Sequence, residues 1–150
     1  MSEETKDERL NRELIELLNE LRVALPGVQM LFGFLLAVPF TNRFPTITET
    51  QRHVYYFTFL GTAAATIFLI APTAYHRLRF RQHDKEQLLQ TATRLTIAGT
   101  ACLAAALSGA VYLVSDLLFH TAATALAAAA AVGLLLWLWY GLPLLRRLRD

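Results

Sequence analysis

Four apolar windows, at about residues 23–40, 54–75, 95–118 and 122–145, contain no Lys, Arg or Glu, and the one ionised residue inside them is Asp116 near the end of the third. A hydrocarbon core of about 30 Å takes roughly 20 helical residues, so each window is a candidate crossing, the first being the shortest. A chain of 150 residues with 55% hydrophobic residues is also far more apolar than a soluble domain of its size needs to be. The expected fold is all-α: a four-transmembrane-helix bundle forming one membrane domain over residues 1–150, with residues 1–22 as a cytoplasmic amphipathic helix.

A cleavable signal peptide is the competing reading of the first window. Such a signal has a short basic leader, whereas the 22 residues before Val23 include Glu3, Glu4, Asp7, Glu8, Glu13, Glu16 and Glu20. The segment is therefore expected to be retained. The single Cys102 lies mid-window, which excludes an intrachain disulfide and a multi-cysteine metal site and points to packing.

Charge sets the orientation. With four crossings, the tail (Lys6, Arg9, Arg12, Arg22), the second loop (Arg77, Arg79, Arg81, Lys85, Arg94) and the C-terminal end (Arg146, Arg147, Arg149) share one side, against Arg43 and Arg52 on the other. The positive-inside rule places both termini in the cytoplasm of a multi-pass inner-membrane protein.

From Leu10 the positions Leu10, Leu14, Leu17, Leu21, Ala24, Val28, Leu31 and Leu35 alternate spacings of four and three, a heptad seam running from water into lipid. It packs against the protein's own bundle or against a second protomer. Pro26 and Gly27 are expected to interrupt this helix; Gln29 then either satisfies a carbonyl freed beside the proline or lines a pathway. Beyond a loop at about residues 41–45, Thr46 and Glu49 have capping-box spacing and place the second helix start near Ile47. Pro72 suggests a kink near that helix's inner end. Tyr75, His76, Arg77, Arg79 and Arg81 then form a basic cluster suited to anchoring in, or binding, anionic lipid headgroups. Asp84 and Gln87 repeat the capping spacing and start a third helix at Lys85, so helices one and three both extend into the cytoplasm. The tail is net −3 and the segment 76–94 net +3, which favours docking of the two extensions. Ala101, Ala105 and Gly109, with Ala104 and Ser108 beside them, and the run 127–131 offer close-approach surfaces expected to form the bundle interior. Trp137, Trp139 and Tyr140 suit an inner aromatic belt.

Chemistry-bearing groups are sparse. Asp116 and His120 stand four apart and form a candidate outer polar pair, as a structural hydrogen bond or a proton relay. His76 and His83 are too far apart to share a metal alone. The sequence holds no Gly-rich phosphate loop, no nucleophile elbow and no HExxH. No catalytic residue, cofactor or metal is expected, and nucleic acid is not an expected partner.

The run Glu16-Leu-Leu-Asn-Glu-Leu-Arg-Val-Ala-Leu-Pro-Gly-Val-Gln29, followed by residues 34–40 and then by Ala71-Pro-Thr-Ala-Tyr-His-Arg77, resembles a family of small four-helix membrane proteins of unknown function, chiefly actinobacterial. The resemblance implies an inner-membrane location and the four-helix layout, and it supplies no site residues. Both motifs fall at the cytoplasmic boundary. The candidate interaction rim is accordingly Glu16, Asn19, Glu20, Arg22, Pro26, Gln29, Pro72, His76, Arg77, Arg79 and Arg81. The preferred function is non-enzymatic: helix–helix association in the bilayer as a homo-oligomer or an accessory subunit to a membrane-protein partner. An oligomeric channel, lined by Gln29, Thr62, Thr66, Thr100, Ser108 and the Arg77–Arg81 cluster, and a membrane enzyme resting on Asp116, His120 and His76 are the alternatives.

Overall fold

A computed structural model describes residues 5–79, 85–119, 122–141 and 145. Among the described residues every regular element is helical: α1 (Lys6–Ala37), α2 (Glu49–Arg79), α3 (Lys85–Phe119) and α4 (Ala122–Leu136), the last continuing as a π-helical turn over Trp137–Gly141. Short 3₁₀ turns at Val38–Phe40 and Phe44–Thr46 link α1 to α2. Three helices are long and apolar enough to cross a membrane, and the fourth apolar helix is shorter.

α1 starts on a reciprocal cap. The Glu8 N–H donates to Thr5 Oγ1 at 3.4 Å, and the Thr5 N–H donates to Glu8 Oε2 at 2.9 Å. The Thr5 N–H, helped by the Thr5 hydroxyl, holds the Glu8 carboxyl below the usual carboxylate range. Arg9–Glu13 (2.8 Å) and Arg12–Glu16 (3.6 Å) then pair along the exposed face at helical spacing. The heptad seam faces inward. Leu14, Leu21, Val28 and Leu35 are buried, and Leu10, Leu17, Ala24 and Leu31 are half-buried. Of the two readings open for the seam, the structure shows packing within the protomer.

Pro26 does not interrupt the helix as expected: α1 is continuous through it. Proline removes the hydrogen bond to the carbonyl four residues back, at Arg22, and both residues lie on the exposed side. The disruption therefore falls opposite the seam that holds the helix.

The cap of α2 is also displaced. Thr46 Oγ1 donates to the Arg43 carbonyl at 2.8 Å, closing the 3₁₀ turn, and the helix is capped two residues later. There the Gln51 N–H donates to Thr48 Oγ1 (3.2 Å) and the Thr48 N–H donates to Gln51 Oε1 (3.0 Å). Both Thr46/Glu49 and Thr48/Gln51 have the required spacing, and only the second gives a glutamine whose remaining amide group reaches α3.

Leu21 and Val28 of α1 meet Ala65 and Leu69 of α2 in the central cluster, with Cys102 and Leu103 of α3 packed against it. α2 lies closest to α3, and glycines set that distance. A Cβ on Gly61 would sit 3.6 Å from Ala106 Cβ, whereas one on Gly99 would meet Leu69 Cγ at 2.7 Å. The small residues of α3 thus close against α2, and the expected ladder is only partly interior: Ala104 is buried and Ser108 and Gly109 are half-buried, but Ala101 and Ala105 are exposed, and Ala106, outside the ladder, is buried. Among the described elements α4 packs on α3 alone.

At the opposite end from the 41–46 loop the starts of α1 and α3 come together, as expected. Their recorded ion pair has the reverse sense to the net charges, with Lys6 Nζ donating to Glu86 Oε2 at 2.8 Å. That bond and the adjacent positive charge hold the Glu86 carboxyl below its usual range. Leu14 of α1 and Leu88 and Ala92 of α3 are buried toward that end.

Candidate functional site

The rim residues fall into two groups. Glu16, Asn19, Glu20, Arg22, Pro26 and Gln29 are all exposed on α1, and Arg77 is exposed at the end of α2, while Pro72 is fully buried. The two motif-bearing segments are neighbours through apolar side chains, Leu21 against Leu69, and the polar groups lie outside that contact. His76 and Arg79 belong to α2; Arg81, His83 and Asp84 lie outside the described residues.

The hydroxyls that a channel would need are turned onto the helices themselves. Thr62 donates to the Thr58 carbonyl (2.8 Å), Thr66 to Thr62 (2.9 Å), Ser108 to Ala104 (2.7 Å) and Thr100 to Ile97 (2.9 Å). Within one protomer these groups back-bond to the preceding turn. Thr62 is 0% exposed.

Asp116 has a partner that the sequence reading missed. Gln51 Nε2 donates to Asp116 Oδ2 at 2.7 Å, tying the first turn of α2 to the last turns of α3. His120, the expected partner, lies outside the described residues. The signal for Gln51 was present as a polar residue flanked by a capping threonine, but the 65-residue separation hides the pairing.

Beside this bond the described residues line a half-open apolar cavity of about 290 Å³ between α1, the 41–47 loop, α2 and α3. Leu31, Leu35 and Val38 form one wall, Phe44 and Tyr55 another, and Ala110, Leu113 and Leu117 the third. Phe44 packs edge-on to Tyr55 with ring centroids 5.2 Å apart, and the Tyr55 hydroxyl donates to the Leu35 carbonyl at 2.7 Å. These contacts brace the walls, so the space is built into the fold. Arg43 stands at its edge, with Nη2 donating to the Leu117 carbonyl at 3.4 Å. The cavity lies at the loop end, away from the rim on which the sequence motifs focus attention. Among the described residues no three His, Cys, Asp or Glu side chains gather as a metal site would require.

A family model described as "Family of unknown function (DUF6328)" matches residues 3–143. No curated protein and no solved structure matches the chain.

Proposed function

We propose that this chain, which belongs to the DUF6328 family of unknown function, is a non-enzymatic multi-pass protein of a bacterial inner membrane. It crosses four times with both termini in the cytoplasm and works by helix–helix association with a second copy of itself or as an accessory subunit. Lengths support the crossings: α1 and α3, with 32 and 35 residues, reach about 50 Å and outrun a hydrocarbon core of about 30 Å. The 15 residues of α4 and the five of its π-helical continuation together approach that thickness.

The observation that carries the reading is the free flank of α4. Ala129 and Gly133, four apart, are exposed, and no described residue lies within 4 Å of where a Gly133 side chain would begin. Small residues at that spacing let two helices approach closely in lipid, where packing rather than hydrophobic burial drives association. The seam of α1 is already used inside the protomer. Crosslinking in native membranes, with sizing in mild detergent, tests the reading. A dimer or larger species that Gly133→Leu dissociates supports it, and a monomer with no co-purifying membrane protein refutes it. The channel and enzyme readings draw no comparable support, because the candidate hydroxyls bond to backbone and Asp116 is engaged by Gln51.

A further inference from the structure

The cavity at the loop end has a chemistry that selects its occupant. Its polar lining groups are largely engaged: Gln51 Nε2 by Asp116, Gln51 Oε1 by the Thr48 N–H, the Tyr55 hydroxyl by the Leu35 carbonyl, and Thr41 Oγ1 by the Val38 carbonyl at 2.7 Å. A ligand portion that enters the space therefore meets hydrocarbon, and polar atoms there lose water without a replacement partner. An apolar cavity of about 150 Å³ stays dry and accepts benzene; one of about 290 Å³ has room for one alkyl chain of roughly ten carbons. The lining is open on its apolar side, where Phe34 and Val114 are 68% and 59% exposed.

At the edge the character changes. Arg43 is exposed and, among the described residues, donates a long hydrogen bond to the Leu117 carbonyl. A guanidinium has five N–H donors in a fork that fits carboxylate or phosphate. We propose that this cavity binds one alkyl chain of an anionic amphiphile, with the chain between Leu35 and Leu113 and the acidic headgroup on Arg43. The shared chemistry is a chain tied to an anion, supplied either by a free fatty acid or by an anionic phospholipid of the surrounding bilayer. The site lies within one protomer, so it stands or falls separately from association through α4.

The test uses the full chain in phosphatidylcholine nanodiscs with three diazirine-tagged probes: palmitate, phosphatidylglycerol tagged on one chain, and hexadecanol. Crosslinks are mapped by peptide mass spectrometry. Saturable capture in the peptides around Leu35 and Leu113, by palmitate or by phosphatidylglycerol, supports the proposal and identifies the source; hexadecanol is captured far less. Arg43→Gln lowers capture about tenfold, the loss expected for a charge-assisted hydrogen bond, and Arg43→Lys retains most of it. Ala110→Phe fills the space and abolishes capture; should it fail to fold, the exposed Arg43 variants still decide the matter. Equal capture of hexadecanol, labelling spread evenly over exposed apolar residues such as Val23 and Ile67, or an Arg43→Gln variant that binds as well as the parent overturns it.

Discussion

Gly109 is a point of close approach between α3 and α2. A Cβ there would run into Thr58 Oγ1 and lie 3.3 Å from Thr58 Cβ, and Thr58 is fixed because its hydroxyl donates to the Val54 carbonyl at 2.7 Å. Gly109→Ala is therefore expected to destabilise by about 1–3 kcal/mol through overpacking, offset by up to about 1 kcal/mol of helix propensity. In the isolated protomer Gly133→Ala has open space around it among the described residues and gains the propensity alone. Thermal unfolding in detergent measures both. Pairing Gly109→Ala with Thr58→Ala removes the obstructing hydroxyl and should recover most of the loss, so non-additivity in the cycle identifies the contact. A Gly109→Ala variant as stable as the parent refutes this account. The sequence marks Gly109 as a close-approach residue but does not say what it approaches. Small side chains occur on every side of α3, so Ala101 and Ala105, which are exposed, read the same as Ala104 and Ala106, which are buried.

Elements with a clear period were legible, and those depending on a distant partner were not. The seam of α1 repeats over eight positions and all eight are buried or half-buried, because a strict spacing singles out one side of a helix. Lys85 is helical as expected, while the cap expected at Asp84 lies outside the described residues. The start of α2 was not legible, since two overlapping capping patterns compete and the choice rests on Asp116 in another helix. The actual cap makes a discriminating prediction. Thr48→Ala should cost about 0.5–2 kcal/mol and speed hydrogen exchange at the Gln51 amide, which donates to that hydroxyl. Thr46→Ala removes a bond to the Arg43 carbonyl and should leave the Gln51 amide protected. The reverse ranking refutes the assigned cap. The cavity and the Gln51–Asp116 bond share the illegibility of the cap, being built from residues of three helices as far apart in the chain as Leu31 and Leu117.

In the whole molecule, α1, α2 and α3 make a mutually packed core, and α4 is attached at one side through α3. The Tyr140 hydroxyl reaches Thr100 Oγ1 at 3.3 Å and ties the π-helical end back to that core. In the proposed four-crossing placement, exposed Val23, Phe57, Ile67 and Leu126 face lipid, and the Lys6–Glu86 end and the 41–46 loop lie on opposite sides. Charge then decides which end stays in the cytoplasm, because Lys and Arg beside a span resist translocation. The proposed sidedness is tested in a Cys102→Ala background carrying single cysteines at exposed positions, Asn11→Cys on α1, Gln87→Cys on α3 and Thr50→Cys on α2. A membrane-impermeant maleimide should label the first two only in inside-out vesicles and the third only in right-side-out vesicles. A cysteine appended after residue 150 should follow Asn11→Cys if α4 crosses and Thr50→Cys if it folds back along the surface. That second pattern would leave three crossings and remove the α4 flank as a membrane-buried association surface, while labelling of Asn11→Cys only in right-side-out vesicles and of Thr50→Cys only in inside-out vesicles would refute the orientation itself.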